Sequence, residues 1–217
     1  MGSIDYKKLY ALQDNILEIV FREENIFYLT GGTALSRFYH EKRYSDDLDF
    51  FTHDNYRFNM AVRKIKFAIE KEYHLDIEVE SKDFIRFLID DTLQIDFVND
   101  RVYRYSKPNI INNIQVDNIE NILANKLTAV VGRDNPKDIF DIYLIYKYYD
   151  FDWNNILEIA HKKAGFASED LITRLKTFPI SLLKNINLIE SDFLNDFNEE
   201  YLLIINEIKE YSNHKRD

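Results

Sequence analysis

Hydrophobic positions recur along this chain with two different periods, and the change of period divides it into two halves. Leu9, Leu12, Ile16, Ile19 and Val20 return at helical spacing, which predicts an amphipathic helix over Tyr6–Glu24. Ile26–Leu29 is a short apolar run rich in aromatics and reads as a buried strand. Gly31-Gly32 breaks that run, and Ala34–His40 continues as a short helix. Asp47–Phe51 reads as a second strand. Phe58, Val62, Ile65 and Ile69 then mark one side of a long helix over Asn55–Tyr73. Leu75–Glu80 alternates apolar and acidic residues, the pattern of a half-exposed strand. Phe84–Ile89 and Leu93–Val98 are two further strands, and Asp90-Asp91-Thr92 between them is short enough for an antiparallel hairpin. Pro108 and Asn112-Asn113 mark a loop.

From Ile119 the helical period takes over. Helices are predicted over Ile119–Val131, Pro136–Tyr149, Trp153–Lys163, Ser168–Thr177 and Leu194–Tyr211, with Pro136 in a favoured first-turn position. The expectation is therefore an α/β front half followed by a helical back half, with no flexible linker between them.

Composition narrows the class. The chain has 217 residues with 46% hydrophobic and 15% aromatic content, which suits a globular protein with a proper core. There is no cysteine, so disulfides and thiolate metal sites are excluded and a reducing compartment fits. No apolar run approaches a membrane span, and Met1–Val20 carries charges throughout, unlike a signal peptide. A cytoplasmic chain without a membrane partner is expected. The five histidines are scattered, with no metal-ligand spacing.

The chemistry concentrates in Phe27–Phe51. A strand, the pair Gly31-Gly32, the hydroxyl of Thr33 and a helix start together make a phosphate-approach geometry. Glycine lets a phosphate come close to the backbone, and the helix start offers unpaired N–H groups. Asp47 and Asp49 then stand two apart on a strand, which puts both carboxylates on one face. Like charges held together repel, whereas a hard divalent cation needs such a pair. Asp96 lies inside the apolar strand Leu93–Val98, where a carboxylate is costly unless it is paired or bound to a cation. If that strand lies beside Asp47–Phe51, Asp47, Asp49 and Asp96 meet and form a ligand set for two Mg²⁺ ions. One ion would orient nucleotide phosphates and the other would activate an attacking hydroxyl, with Asp96 placed to take its proton. The bland alternative for Asp96 is a strand residue on an open sheet face. Arg43 and Ser45 precede the acid pair and would either orient it or touch phosphate; the alternative is a solvated loop.

The helices carry a second group. Lys126 and Arg133 are seven apart and share a face, as do Asp138 and Asp141, three apart. Spacing alone fits both a phosphate-binding cation pair and a plain salt-bridge network between two antiparallel helices.

Gly31-Gly32-Thr33-Ala34-Leu35, Arg43–Phe51 and the later stretch from Lys126-Leu127-Thr128-Ala129 through Arg133 to Lys137–Asp141 together resemble the AbiEii/AbiGii-type toxin family of the polymerase β-like nucleotidyltransferase superfamily. The resemblance covers about residues 26–145. It implies a nucleotidyltransferase fold with a mixed sheet flanked by helices; together with the helical period of the back half, the expected domains are a nucleotidyltransferase domain over residues 1–149 and a C-terminal helical bundle over residues 150–217. It implies transfer of a nucleoside monophosphate from an NTP to a hydroxyl, with an RNA acceptor such as a tRNA 3′ end and a cognate antitoxin as partners. It gives Lys126 and Asp138 catalytic roles and leaves Asp141 and Arg133 in support; the shared face of Lys126 and Arg133 is what puts both on the nucleotide.

Two alternatives stay open. One is a small-molecule nucleotidyltransferase of the aminoglycoside-modifying kind, whose acidic surface would suit a cationic substrate. The other is a non-catalytic nucleotide-binding or interaction module. The net charge of −10 requires any RNA to be gripped locally. His161-Lys162-Lys163 with Arg174 and Lys176 is the best basic cluster of the back half.

Overall fold

The computed structural model describes residues 4–214. The chain divides into two compact units. The first contains the chain up to Phe38, Ser45–Arg101 and Lys107–Asp117; the second contains Tyr39–Tyr44, Val102–Ser106 and the chain from Asn118 onward. The division falls at Asp117–Asn118, so the helices carrying Lys126 and Asp138 belong with the C-terminal helices.

The first unit is a seven-stranded sheet with three helices, α1 (Tyr6–Glu23), α2 (Gly31–Phe38) and α3 (Phe58–Ile69). Its strands are β1 (Tyr28–Thr30), β2 (Asp47–His53), β3 (Leu75–Glu80), β4 (Phe84–Ile89), β5 (Leu93–Asp100), β6 (Asn109–Ile111) and β7 (Ile114–Val116), in the order β3-β4-β5-β2-β1-β7-β6. The sheet is mixed: β2 runs parallel to β5 and antiparallel to β1, while β1 runs parallel to β7. Strand periodicity sorts the side chains. Leu48, Phe50, Ile95 and Phe97 are buried, and Phe97 gathers Phe27, Phe50 and Phe87 at ring distances of 5.2–5.6 Å. The opposite face of β2 and β5 is left to Asp47, Asp49, Gln94 and Asp96.

Several boundaries differ from the sequence expectation, each for a local reason. The segment read as a loop around Asn112-Asn113 is the β6–β7 hairpin. Both asparagines take positive φ, 50° and 65°, which is the backbone of a tight hairpin turn and one that asparagine tolerates. The predicted helix Asn55–Tyr73 shrinks to Phe58–Ile69, because the Asn55 side chain accepts from the Arg57 N–H and holds a turn before the helix. β3 is exposed on both faces rather than one, since it is the sheet edge; Asp76, Glu78 and Glu80 charge that edge.

The second unit is helical: α4 (Ile119–Gly132), α5 (Pro136–Tyr148), α6 (Trp153–Lys163), α7 (Ser168–Thr177), a 3₁₀ turn (Ile180–Asn185) and α8 (Phe197–His214). Asn118 caps α4, and Asn135 caps α5 ahead of Pro136. The last helix begins at Phe197 rather than Leu194, after a run of turns. Among the described residues no helix is long and apolar enough to cross a membrane.

Candidate active site

The parallel pairing of β2 with β5 sets Asp49 directly opposite Asp96, and Asp47 opposite Gln94. Residues paired in register point to the same face, and Asp47 shares it by the two-residue repeat. The sheet therefore brings all three acids to one face, with Asp96 8% exposed. An oxygen-only donor set with no thiolate or imidazole suits a hard divalent cation such as Mg²⁺. As the side chains stand, however, no group of three acidic or histidine residues among those described is gathered to hold a metal. The Asp96 carboxylate is instead engaged by an arginine. Arg86, its antiparallel partner on β4, donates from Nε to Oδ1 and from Nη2 to Oδ2, each at 2.7 Å. Bound in that fork, Asp96 has neither oxygen free of charge-assisted contact. The carboxylate holds the Arg86 guanidinium above its ordinary pKa, with Glu78 and Asp49 adding to the effect.

The phosphate-approach element is built one strand away. α2 starts at Gly31 directly after β1, so the glycine pair lies in the helix's first turn and not in a loop before it. Gly31 has φ +72°, a left-handed backbone, and a Cβ there would collide with the Asp49 carboxylate. Thr33 is fully buried: its hydroxyl donates to the Asp47 main-chain carbonyl and lies 2.8 Å from the Ser45 hydroxyl. The two hydroxyls thus tie α2 to the start of β2. Helix α1 braces the same segment: Gln13 donates to the Ser45 carbonyl at 3.0 Å, Ser45 N–H donates to the Tyr10 hydroxyl at 3.1 Å, and Tyr6 donates to Asp46 at 2.9 Å. Ser45 is accordingly a buried positioning group, and Asp46 points away from the acid pair toward α1.

The remaining candidates form a separate cluster in the second unit. Lys126 lies 3.0 Å from Asp138 and 2.7 Å from Asp141. Arg133 grips Asp138 with two donors at 2.7 and 3.0 Å. Arg43 grips Asp141 likewise, at 2.8 and 2.9 Å. Arg43 is not solvated; it is 2% exposed, within this network. Burial opposes the charge on Lys126, yet Asp141 and Asp138 outweigh it and hold its ammonium above the ordinary value. Burial likewise opposes the charge on Asp141, and Arg43 and Lys126 outweigh it and hold its carboxyl below the ordinary value. Three cations thus face two carboxylates. Lys126 is 9% exposed, while the Arg133 side chain is 58% exposed and carries the reachable part of the excess charge. The geometry is the buried ion network that the spacing of Lys126, Arg133, Asp138 and Asp141 allowed.

The basic cluster of the back half is locally engaged as well. Lys162 pairs with Glu158 on its own helix and lies over the Tyr103 ring at 5.1 Å, and Arg174 donates to Asp134 at 2.8 Å.

Residues 16–214 match the family described as the nucleotidyl transferase AbiEii toxin of type IV toxin–antitoxin systems. The chain belongs to that family. It is a nucleotidyltransferase, and its family implies a nucleotide substrate and an antitoxin partner. The uncharacterized protein aq_aa25 of Aquifex aeolicus is 31% identical over 142 residues, 64% of this chain and 66% of that protein, just under two thirds of its length. JHP933 of Helicobacter pylori has a similar fold, with a TM-score of 0.57 and 23% identity, covering 99% of this chain and 94% of that one. MenT4, a nucleotidyltransferase toxin of Mycobacterium tuberculosis, follows at a TM-score of 0.53 and 16% identity, covering 72% and 63%.

Set in an AbiEii-type nucleotidyltransferase, the first unit holds the acid face, the α2 start and their braces together. The second holds Arg43, Lys126, Arg133, Asp138 and Asp141. Arg86 is the site residue that sequence reasoning missed. The sequence shows only an arginine in the middle of Phe84–Ile89, on the alternate positions that face away from the core; the β4–β5 pairing sets it opposite Asp96.

Proposed function

We propose that this nucleotidyltransferase is Mg²⁺-dependent and that its acceptor is an RNA hydroxyl, such as the 3′ end of a tRNA. The observation that carries the reading is the register of β2 and β5, which pairs Asp49 with Asp96 on the face that also carries Asp47. Asp47 and Asp49 would hold Mg²⁺, and Asp96 would complete the acceptor side. Magnesium bound there supplies charge neutralisation for the triphosphate and makes the acceptor hydroxyl easier to deprotonate. The N–H groups of Gly32 and Thr33, in the first turn of α2, would hold the phosphates. Thr33 and Ser45 keep Asp47 in place through their buried hydroxyls. Asp96, freed from Arg86, takes the proton of the attacking hydroxyl as its oxygen bonds to the α-phosphorus. The bond from the α-phosphorus to the bridging oxygen breaks, and pyrophosphate leaves.

Lys126 and Asp138 act, in this reading, by keeping the α4–α5 pair and Arg133 in position. RNA as acceptor is supported by the family resemblance; the basic residues of α6 and α7 would serve it only by exchanging the Glu158 partner of Lys162 and the Asp134 partner of Arg174 for phosphate. The test is gel-shift binding of total tRNA over a series of salt concentrations, with wild type and a K162A/K163A double variant. A weaker affinity with a log–log salt slope reduced by about one unit per lost phosphate contact supports the RNA reading. Identical affinities and slopes would remove this path for RNA.

A further inference from the structure

Arg86 and a divalent cation want the same two oxygens. The Arg86 fork takes Oδ1 and Oδ2 of Asp96 at 2.7 Å each, and Gln94 Nε2 stands 3.4 Å from Oδ2. A cation at Asp96 needs at least one of those oxygens, and it repels a guanidinium. Arginine cannot resolve the conflict by losing its proton, since a guanidinium stays charged at any pH at which the protein is folded. Coordination and the Arg86–Asp96 pair are therefore alternatives. Once displaced, Arg86 must find another anion. Within the first unit Glu78 and Asp49 act on its charge in addition to Asp96. Asp49 would itself be drawn to the cation, and Glu78 is exposed on the edge strand, where water screens it. The remaining anion of matching geometry is a phosphate, which a guanidinium fork grips with two parallel hydrogen bonds.

We propose that Arg86 is an internal competitor for Asp96 that becomes a phosphate ligand: it holds the carboxylate until a divalent cation takes it, then passes its fork to a phosphate of the cation-bound nucleotide. This rests on the metal reading of Asp47, Asp49 and Asp96. It assigns Arg86 two opposite effects, weakening the cation alone and strengthening phosphate in the cation's presence. It also makes cation and nucleotide binding cooperative, because each frees or uses what the other releases.

A cross-strand ion pair that only braces the β4–β5 hairpin would show neither effect. The experiment measures free Mn²⁺ by electron paramagnetic resonance with wild type and Arg86→Gln, then pyrophosphate affinity by calorimetry at saturating Mn²⁺. Circular dichroism confirms folding, and Arg86→Lys, which keeps the charge but loses the fork, serves where Arg86→Gln does not fold. The expected result for Arg86→Gln is Mn²⁺ binding tighter by about tenfold and pyrophosphate binding weaker by about tenfold, the scale of one charge-assisted hydrogen-bond pair. For Arg86→Lys the expected result is a smaller shift of the same sign in pyrophosphate affinity. Equal Mn²⁺ and pyrophosphate affinities in a folded variant would overturn the role of Arg86 and leave the metal reading standing. Tighter Mn²⁺ with unchanged pyrophosphate would overturn the handover to phosphate. No Mn²⁺ binding by either protein would overturn the metal reading and this inference together.

Discussion

The Asp49 carboxylate occupies the place where a side chain on Gly31 would have to go. Gly31 has φ +72°, and a Cβ built on it meets Asp49 Oδ2 inside any real contact distance. The close approach joins the first turn of α2 to the acid face, so the phosphate-approach element and the carboxylates are one construction. Gly31→Ala should therefore displace Asp49 and strain the backbone. The expected outcome is loss of stability of about 1–2 kcal/mol, from the left-handed backbone and the contact, with transfer activity reduced by at least about tenfold. Urea denaturation and a labelled-nucleotide assay check it. Full activity in Gly31→Ala would mean that the site does not depend on the position of Asp49.

Asp49→Asn is the complementary change. It removes one charge and almost no volume. The folded state should survive, while transfer falls to background. An active Asp49→Asn protein would contradict the assignment of that carboxylate.

The ion network of the second unit makes a prediction about stability and its pH dependence. Asp141, 1% exposed, is held by Arg43 and Lys126. Asp141→Asn leaves the buried Arg43 guanidinium without its partner charge, which should cost about 3–5 kcal/mol. The folded carboxyl of Asp141 lies below its ordinary value, so its contribution is present above about pH 4 and is lost as pH falls through the folded value. Lys126 is raised, so its contribution is complete below about pH 10.4 and is lost only as pH rises through the folded value. Stability should thus be flat with respect to this network between those limits and drop in acid, and Asp141→Asn should show a shallower acid drop. Denaturation midpoints across pH 3–9 measure it. A variant as stable as wild type at neutral pH would contradict the buried-network account.

The Lys126 role can be separated from scaffolding in the same way. Lys126→Met should lower stability by less than the roughly 3–5 kcal/mol of an uncompensated buried charge, since Asp138 keeps Arg133 and Asp141 keeps Arg43. If Lys126 acts only through the packing of α4 and α5, lowering the temperature until the variant is folded should restore most of its transfer activity. Activity still at background in the folded variant would instead give Lys126 a direct part in the reaction.

Strand periods carried much of this into the sequence. The two-residue spacing of Asp47 and Asp49 and the polar alternation of Gln94 and Asp96 put these acids on one face of their strands before any pairing was known, and the β2–β5 register then set Asp49 beside Asp96. The helical spacing of Lys126, Arg133, Asp138 and Asp141 likewise contained the network, although not its third cation. Arg43 is only two residues from Ser45, and nothing local separates a residue buried against Asp141 from one that props up Asp47. That sorting is decided by where the chain crosses from one unit to the other. Arg86 escaped notice for a related reason: an arginine in a strand gains meaning only when cross-strand pairing sets it against Asp96. The Asn112-Asn113 hairpin was missed because asparagine marks loops and tight turns alike, and only the positive φ at both residues distinguishes them.

The central claim is that this chain moves a nucleoside monophosphate onto RNA. The measurement that tests it most directly incubates the protein with Mg²⁺, total tRNA and each NTP labelled in turn at the α- and γ-phosphate, and separates RNA from free phosphates. The account predicts that, for at least one NTP, α-label enters RNA, γ-label appears in pyrophosphate, and neither happens with Asp49→Asn. Release of γ-label as orthophosphate without α-label in RNA, or α-label transfer undiminished by Asp49→Asn, would contradict it.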